Sequence, residues 1–385
     1  MPMTTSPETH SLNRPEDVLA YIPHALGFQP RNSLVMLILE RNALSATLRV
    51  DLPLLGPGAD DTRIAARHYL GILRKVQEAT AVFLAVYPPE CADPHPGPLP
   101  YSGLVAELGD RLRGAGIQVR DAWLVGPESW YSYHCQGPGC CPEAGHPVPE
   151  LALTETHLRL VVAGSAPTHE PWDGSGAPAW VNRGQIRDHL ELMLARFAGP
   201  QRHELLLRRW GDLLAQDPAA AERRMRSDAV FCASLLATLH EKPVRDMLPF
   251  LAGHGLRPAV CALAETTADA TPGAAAALFS GFLLGHSELA PDWRRLDGFW
   301  YLLRDLLGVA AGADEAALLC LLAWIEWARG RGSSALALLG GCLAKEPGYR
   351  LAVLLRQLLE QGEMPDWVAD KDRAWHPEAM PAASA

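Results

Sequence analysis

The chain has 385 residues, 48% of them hydrophobic and 20% charged, with 34 basic against 44 acidic side chains and a net charge of −10 at pH 7. Such a length exceeds what one hydrophobic core organises, and the composition is that of a folded globular protein rather than a disordered chain. The negative balance repels phosphate backbones and argues against nucleic acid as a partner. Residues Met1 to Arg14 carry no basic start followed by an apolar run, so no secretion signal is expected, and no stretch reaches the ~20 apolar residues of a membrane span. A cytoplasmic protein without membrane contact is the expectation.

In chain order, residues 1–14 are polar and rich in Ser, Thr and Pro and read as a disordered tail. Pro15, Glu16 and Asp17 then open a helix, with proline at its first position and acids in the first turn, and Pro23 and Gly27 are expected to end it quickly. Leu34 to Leu39 and Leu44 to Val50 are β-type runs joined by a short polar link, a spacing that suits a hairpin. The first run is apolar throughout and should be buried on both faces. A helical pattern over 60–79 leads into the strand-like Ala81 to Tyr87. A second helix (101–115) and strand (119–125) repeat the alternation, followed by a short strand at 130–134 and a last helix near 154–163. Alternating helix and strand predicts an α/β domain over 15–165, with a mixed sheet and flanking helices.

Residues 166–181 hold three prolines among Ala166 to Ala179 and read as a linker. From Asn182 to 366 the pattern is helical without β-type alternation, predicting an all-α array with helices that include 183–198, 202–216, 218–240 and 314–329, before a flexible tail at 367–385. A tetratricopeptide-like frame fits once, with Leu322, Ala323, Ala335, Leu339 and Cys342 at its small and apolar positions, so a short helical repeat and a compact bundle both stay open. The arginines between Arg202 and Arg226 are interleaved with acids and read as a solvated face of ion pairs.

The phosphate-binding loop, the dinucleotide fingerprint, the zinc-protease helix and the nucleophile elbow are all missing from the sequence. Two places could still carry chemistry. In Trp130 to Pro147, WYSYHCQGPGCCPEAGHP, the thiols of Cys135, Cys140 and Cys141 sit in a backbone braced by glycine and proline, behind aromatic residues that include Trp130. Three readings stand open: a packed structural loop, a metal site with zinc as the candidate cofactor, and redox-active or catalytic thiols with His134 or His146 as base. The zinc spacing is irregular, because adjacent residues such as Cys140 and Cys141 rarely reach one ion. The second place is Arg49 and Asp51, which a strand would put on one face, either as a ligand-binding pair or as an internal ion pair holding the next loop. His157 and the other lone histidines on helical patterns read as structural.

The string PEDVLAYIPHALGFQPRNSLVMLIL, the RVDLP after it, the cysteine loop and the helical stretch AWIEWARGRGSSALALLGGCLAKEPGYRLAVLL resemble the bacterial domain-of-unknown-function family 4192 over most of the chain. The resemblance implies no activity. It does imply that the family's pattern carries the cysteines of the loop, its proline and glycine, Trp130 and Ser132, but neither His134 nor His146, which leaves a thiolate site or a structural loop. Together these readings predict a binding or regulatory protein whose α/β domain holds a ligand, with Arg49, Asp51, Trp130 and Ser132 as candidate contacts, and whose helical domain takes a protein partner. The alternative is an enzyme in which Arg49, Asp51 and the cysteine loop form one pocket.

Overall fold

The computed structural model describes residues 14–53, 59–76, 78–89, 98–135, 142, 144–196, 202–267, 271, 273–370 and 372–376. They fall into two compact units, one running to Pro171 and the other from Trp172 to His376.

The first unit is a mixed sheet with helices on both faces. Helix α1 (Pro15–Leu26) runs through Pro23, whose missing N–H removes one hydrogen bond without breaking the helix, and closes at Gly27, where φ of 82° is a left-handed cap that glycine adopts without strain. Proline therefore did not end this helix; the glycine did. Strands β1 (Ser33–Glu40) and β2 (Ala43–Asp51) form the expected hairpin. Its tip is the two residues Arg41 and Asn42, both at positive φ (48° and 80°), the primed turn that matches strand twist. Helix α2 (Ala59–Leu73), strand β3 (Ala81–Tyr87), helix α3 (Ser102–Gly114), strand β4 (Gln118–Val125), strands β5 (Ser129–Ser132) and β6 (His146–Pro147) and helix α4 (Glu155–Val162) complete the unit. The sheet order is β2-β1-β3-β4-β5-β6, with β3 and β4 parallel and every other neighbouring pair antiparallel.

Side chains alternate across a strand, so an apolar run such as β1 must feed two cores. Leu34, Met36 and Ile38 pack with α2 and α3, including Tyr69, Leu73, Leu108 and Leu112. Val35 and Leu37 point the other way, onto Val18, Leu19 and Ile22 of α1.

The second unit is helical: α5 (Arg183–Arg196), α6 (His203–Leu214), α7 (Pro218–Ser227), α8 (Ala229–Ala237), α9 (Lys242–His254), α10 (Leu256–Thr267), α11 (Ala274–Leu283), α12 (Trp293–Leu306), α13 (Ala313–Ala328), α14 (Gly332–Lys345) and α15 (Arg350–Glu360). One helix expected over 218–240 is two, because Asp228 leaves helical geometry (φ −112°, ψ 95°) and its carboxylate accepts the backbone N–H of Phe231, capping α8. Helix α13 is buried from Ala316 to Ala328, which explains its apolar sequence without any membrane. Among the described residues no helix is long and apolar enough to cross one. The expected frame residues Leu322, Ala323, Ala335, Leu339 and Cys342 are all fully buried within α13 and α14.

Two stretches that looked like tether and tail on composition contribute packing. Thr168 bridges to Phe28, and its backbone carbonyl accepts the N–H of Gln29 at 2.8 Å. At the other end, Trp367 is fully buried and its indole N–H donates to the Ala328 carbonyl at 2.8 Å. The Arg329 guanidinium lies over both Trp300 and Trp375, 5.2 Å and 5.0 Å from the ring centroids, and its Nη2 donates to Asp297 at 2.6 Å. Trp367 and Trp375, whose indole N–H groups donate to the Ala328 carbonyl and to Asp297, hold the end of this unit against the helices despite their polar neighbours.

Candidate functional site

The short strand β5 places the Trp130 and Ser132 side chains on the α1 side of the sheet, Ser132 opposite Trp123 and Trp130 opposite Val125. Trp130 is 3% exposed and its indole stacks on the His146 ring, with centroids 4.2 Å apart. It is a core residue that fastens β5 to β6, so the expected aromatic wall has no open side at this position.

Ser132 lies at a polar, solvent-reaching end of the strand. Its hydroxyl donates to Asp121 Oδ1 at 3.2 Å, and its oxygen accepts the backbone N–H of His134 at 3.1 Å. The same Asp121 oxygen accepts the backbone N–H of Ala122 at 2.8 Å, with His134 Nδ1 3.6 Å away. The Asp121 and His134 side chains are 28% and 51% exposed. A carboxylate, a hydroxyl and an imidazole are thus fixed together at an accessible strand end. This is not a nucleophile-activating order: the serine hydroxyl is spent on a carboxylate, and no base receives its proton.

Cys135 follows at once, half-buried, its backbone N–H 3.4 Å from the Ser132 carbonyl. Cys140 and Cys141 lie outside the described residues. The two ends of their loop are pinned. Beyond it the chain returns as β6, and Gly145 at φ 73° lies so close to β5 that a Cβ there would come 2.5 Å from the Tyr131 ring. Only glycine can turn in that space. Among the described residues no group of three His, Cys, Asp or Glu side chains is placed to hold a metal.

Arg49 and Asp51 share a face of β2, as alternation requires, and their partners are within the protein. Arg49 Nη1 contacts Asp51 Oδ1 at 2.6 Å and its Nη2 donates to the Arg31 carbonyl at 3.1 Å. The Asp51 backbone carbonyl accepts the Tyr69 hydroxyl at 2.6 Å; burial holds that phenol well above its ordinary value, so it remains a donor. The pair ties β2 to the loop before β1. Three strands separate β2 from β5, roughly 19 Å at about 4.8 Å per strand. The sheet therefore does not bring Arg49 and Asp51 to Ser132 and Cys135, and one small ligand cannot span them.

The sequence offered little sign of two further groups. Asp121 interrupts an otherwise β-type run, a local polar anomaly that could have marked it. His157 looked solitary, yet its Nδ1 is 2.9 Å from His24 Nε2, and His24 Nδ1 is 2.8 Å from the Ser165 hydroxyl. With the two histidines 133 positions apart, no local pattern could have paired them.

The sequence profile of a family described as Domain of unknown function (DUF4192) matches residues 15–366, nearly the whole chain. No curated protein and no solved structure matches.

Proposed function

The chain belongs to the DUF4192 family, and with no activity defined for the family we propose from the geometry that it is a cytoplasmic binding or regulatory protein: its α/β unit holds a small ligand at the ends of β4 and β5, and its helical unit takes a protein partner. The observation that carries this reading is the preorganised Asp121–Ser132–His134 group. Its hydroxyl and backbone contacts converge on Asp121 Oδ1 and fix the carboxylate's direction, leaving Oδ2 outside all of them. An oriented, partly exposed carboxylate with a hydroxyl beside it suits a ligand that donates hydrogen bonds, and a primary ammonium group is the simplest such donor. Support for the partner surface comes from Leu192 and Leu194 of α5 and Leu205 of α6, large apolar side chains left exposed.

The test is a thermal-shift series with ethanolamine, putrescine and L-lysine amide on the full chain and on Asp121→Asn. A ligand at one hundred times its dissociation constant stabilises the folded state by about 2.7 kcal/mol, a shift of a few degrees. At least one amine should raise the melting temperature of the wild type, and Asp121→Asn should lose that shift. If no amine has an effect, or if the variant responds equally, the ligand reading fails.

A further inference from the structure

Where α1 meets the end of α4, three side chains form a chain of hydrogen bonds that the ligand reading does not use. Ser165 Oγ lies 2.8 Å from His24 Nδ1, and His24 Nε2 lies 2.9 Å from His157 Nδ1. The two imidazole rings meet edge to face with centroids 4.9 Å apart. Ser165 is placed by backbone: its N–H donates to the Leu160 carbonyl at 2.9 Å as α4 ends. The His157 backbone N–H is held by the Thr154 hydroxyl at 3.2 Å. All three relay side chains are half-buried, which orders them while leaving the hydroxyl within reach of solvent.

Hydroxyl, base and orienting group in that order, each pair within hydrogen-bond reach, is the arrangement that activates a serine nucleophile. We infer that Ser165, His24 and His157 form an acyl-transfer relay, with Ser165 as nucleophile, His24 as general base and His157 as the residue that positions His24, acting on carboxylic esters that reach the partly exposed Ser165 hydroxyl from solvent. The tautomer this requires has His24 Nδ1 bare toward Ser165 and its Nε2–H donating to His157 Nδ1. Ser165 Oγ adds to the ester carbonyl carbon as its proton passes to His24 Nδ1. The tetrahedral adduct collapses by breaking the bond to the leaving alkoxide, which takes that proton away as the alcohol. Water then attacks the acyl-serine, giving one proton to His24, and the serine oxygen leaves with it, so carboxylic acid is released and the hydroxyl restored.

The electrostatics around the relay suit a base that works near neutrality. Burial first, and then the neighbouring His157, lower the affinity of His24 for a proton, so the imidazole is bare at pH 7. Two of the charged groups on α1 and α4 are engaged elsewhere: Asp17 accepts the Thr156 hydroxyl at 2.9 Å and contacts Arg14 at 3.2 Å, and Glu155 pairs with Arg159 at 2.5 Å, while Glu16 sits in the first turn of α1, at the opposite end of the helix from His24.

The experiment uses the full-length protein, a fluorophosphonate probe with peptide mapping, and p-nitrophenyl acetate turnover across pH. Folded wild type should be labelled at Ser165, and Ser165→Ala should lose both labelling and turnover. His24→Gln should slow labelling by about 10²-fold or more, the range of general-base assistance. His157→Leu should slow turnover, and His157→Gln, whose side-chain oxygen can accept the same His24 Nε2–H, should restore most of it; a purely structural role would not separate the two variants. Mapping on the wild type does not depend on any variant folding. A folded wild type in which Ser165 stays unlabelled, or a labelling rate unchanged in His24→Gln, overturns the relay.

Discussion

At the scale of single residues, function in this chain turns on which polar groups are already committed. Arg49 is held through its two Nη groups by Asp51 and the Arg31 carbonyl, whereas the contacts of Asp121 with the described residues all run through Oδ1. His24 carries a pH signature with a definite sign. Its folded-state affinity for protons is lowered, so at pH above about 6.5 it is neutral in both folded and unfolded chains and contributes no slope. As pH falls below 6.5 the unfolded chain takes up a proton that the folded one resists, and stability is lost. Urea midpoints of the wild type should therefore decline on acidification from pH 6.5, and His24→Gln should flatten that decline. An equal slope in both proteins would show that His24 is not its source.

Elements here are delimited by individual caps and turns more than by average propensity. The apolar runs of β1 and β3 announced buried strands, and their burial on both faces follows from that composition alone. The break between α7 and α8 was harder to see, since Asp228 sits in a pattern helical on both sides. What decides it is that the Asp228 carboxylate satisfies the first-turn N–H of Phe231, otherwise an orphan donor. Replacing Asp228 with alanine should cost about 1 kcal/mol, within the range of roughly 0.5 to 2 for lost caps, measurable as a lower urea midpoint of the helical unit. Pro23 teaches the complement: a proline near a helix end removes one hydrogen bond and is carried along when the face it belongs to, with Leu19 and Ile22, is buried.

Across the whole molecule, three hydrophobic cores organise two units, one on each face of the sheet and one among the helices, and the C-terminal end of the helical unit is tied in by tryptophan. Trp367 is fully buried against α13, and its N–H reaches the Ala328 carbonyl. Trp367→Ala should destabilise the helical unit by about 3–5 kcal/mol, the range for emptying a large aromatic site, and chemical unfolding of the full chain would read it. A change under about 1 kcal/mol would mean that the segment after α15 is not part of the core. The α/β order, the helical second half and the buried α13 were all legible in the sequence, because each rests on periodicity and composition within a short window. The same local signals set the limits of strands such as β3, whose ends at Ala81 and Tyr87 were readable directly. Residues that meet across the chain were not legible: Asp121 with Ser132 is a cross-strand encounter, and His24 with Ser165 spans 141 residues. Arg49 and Asp51 were rightly placed on one face by alternation, yet whether they reach Ser132 depended on strand order. By itself the sequence determined class, element type and family, since backbone preference and burial patterning act locally; tertiary structure alone decided which side chains share a hydrogen bond, since that depends on how strands and helices are ordered in space.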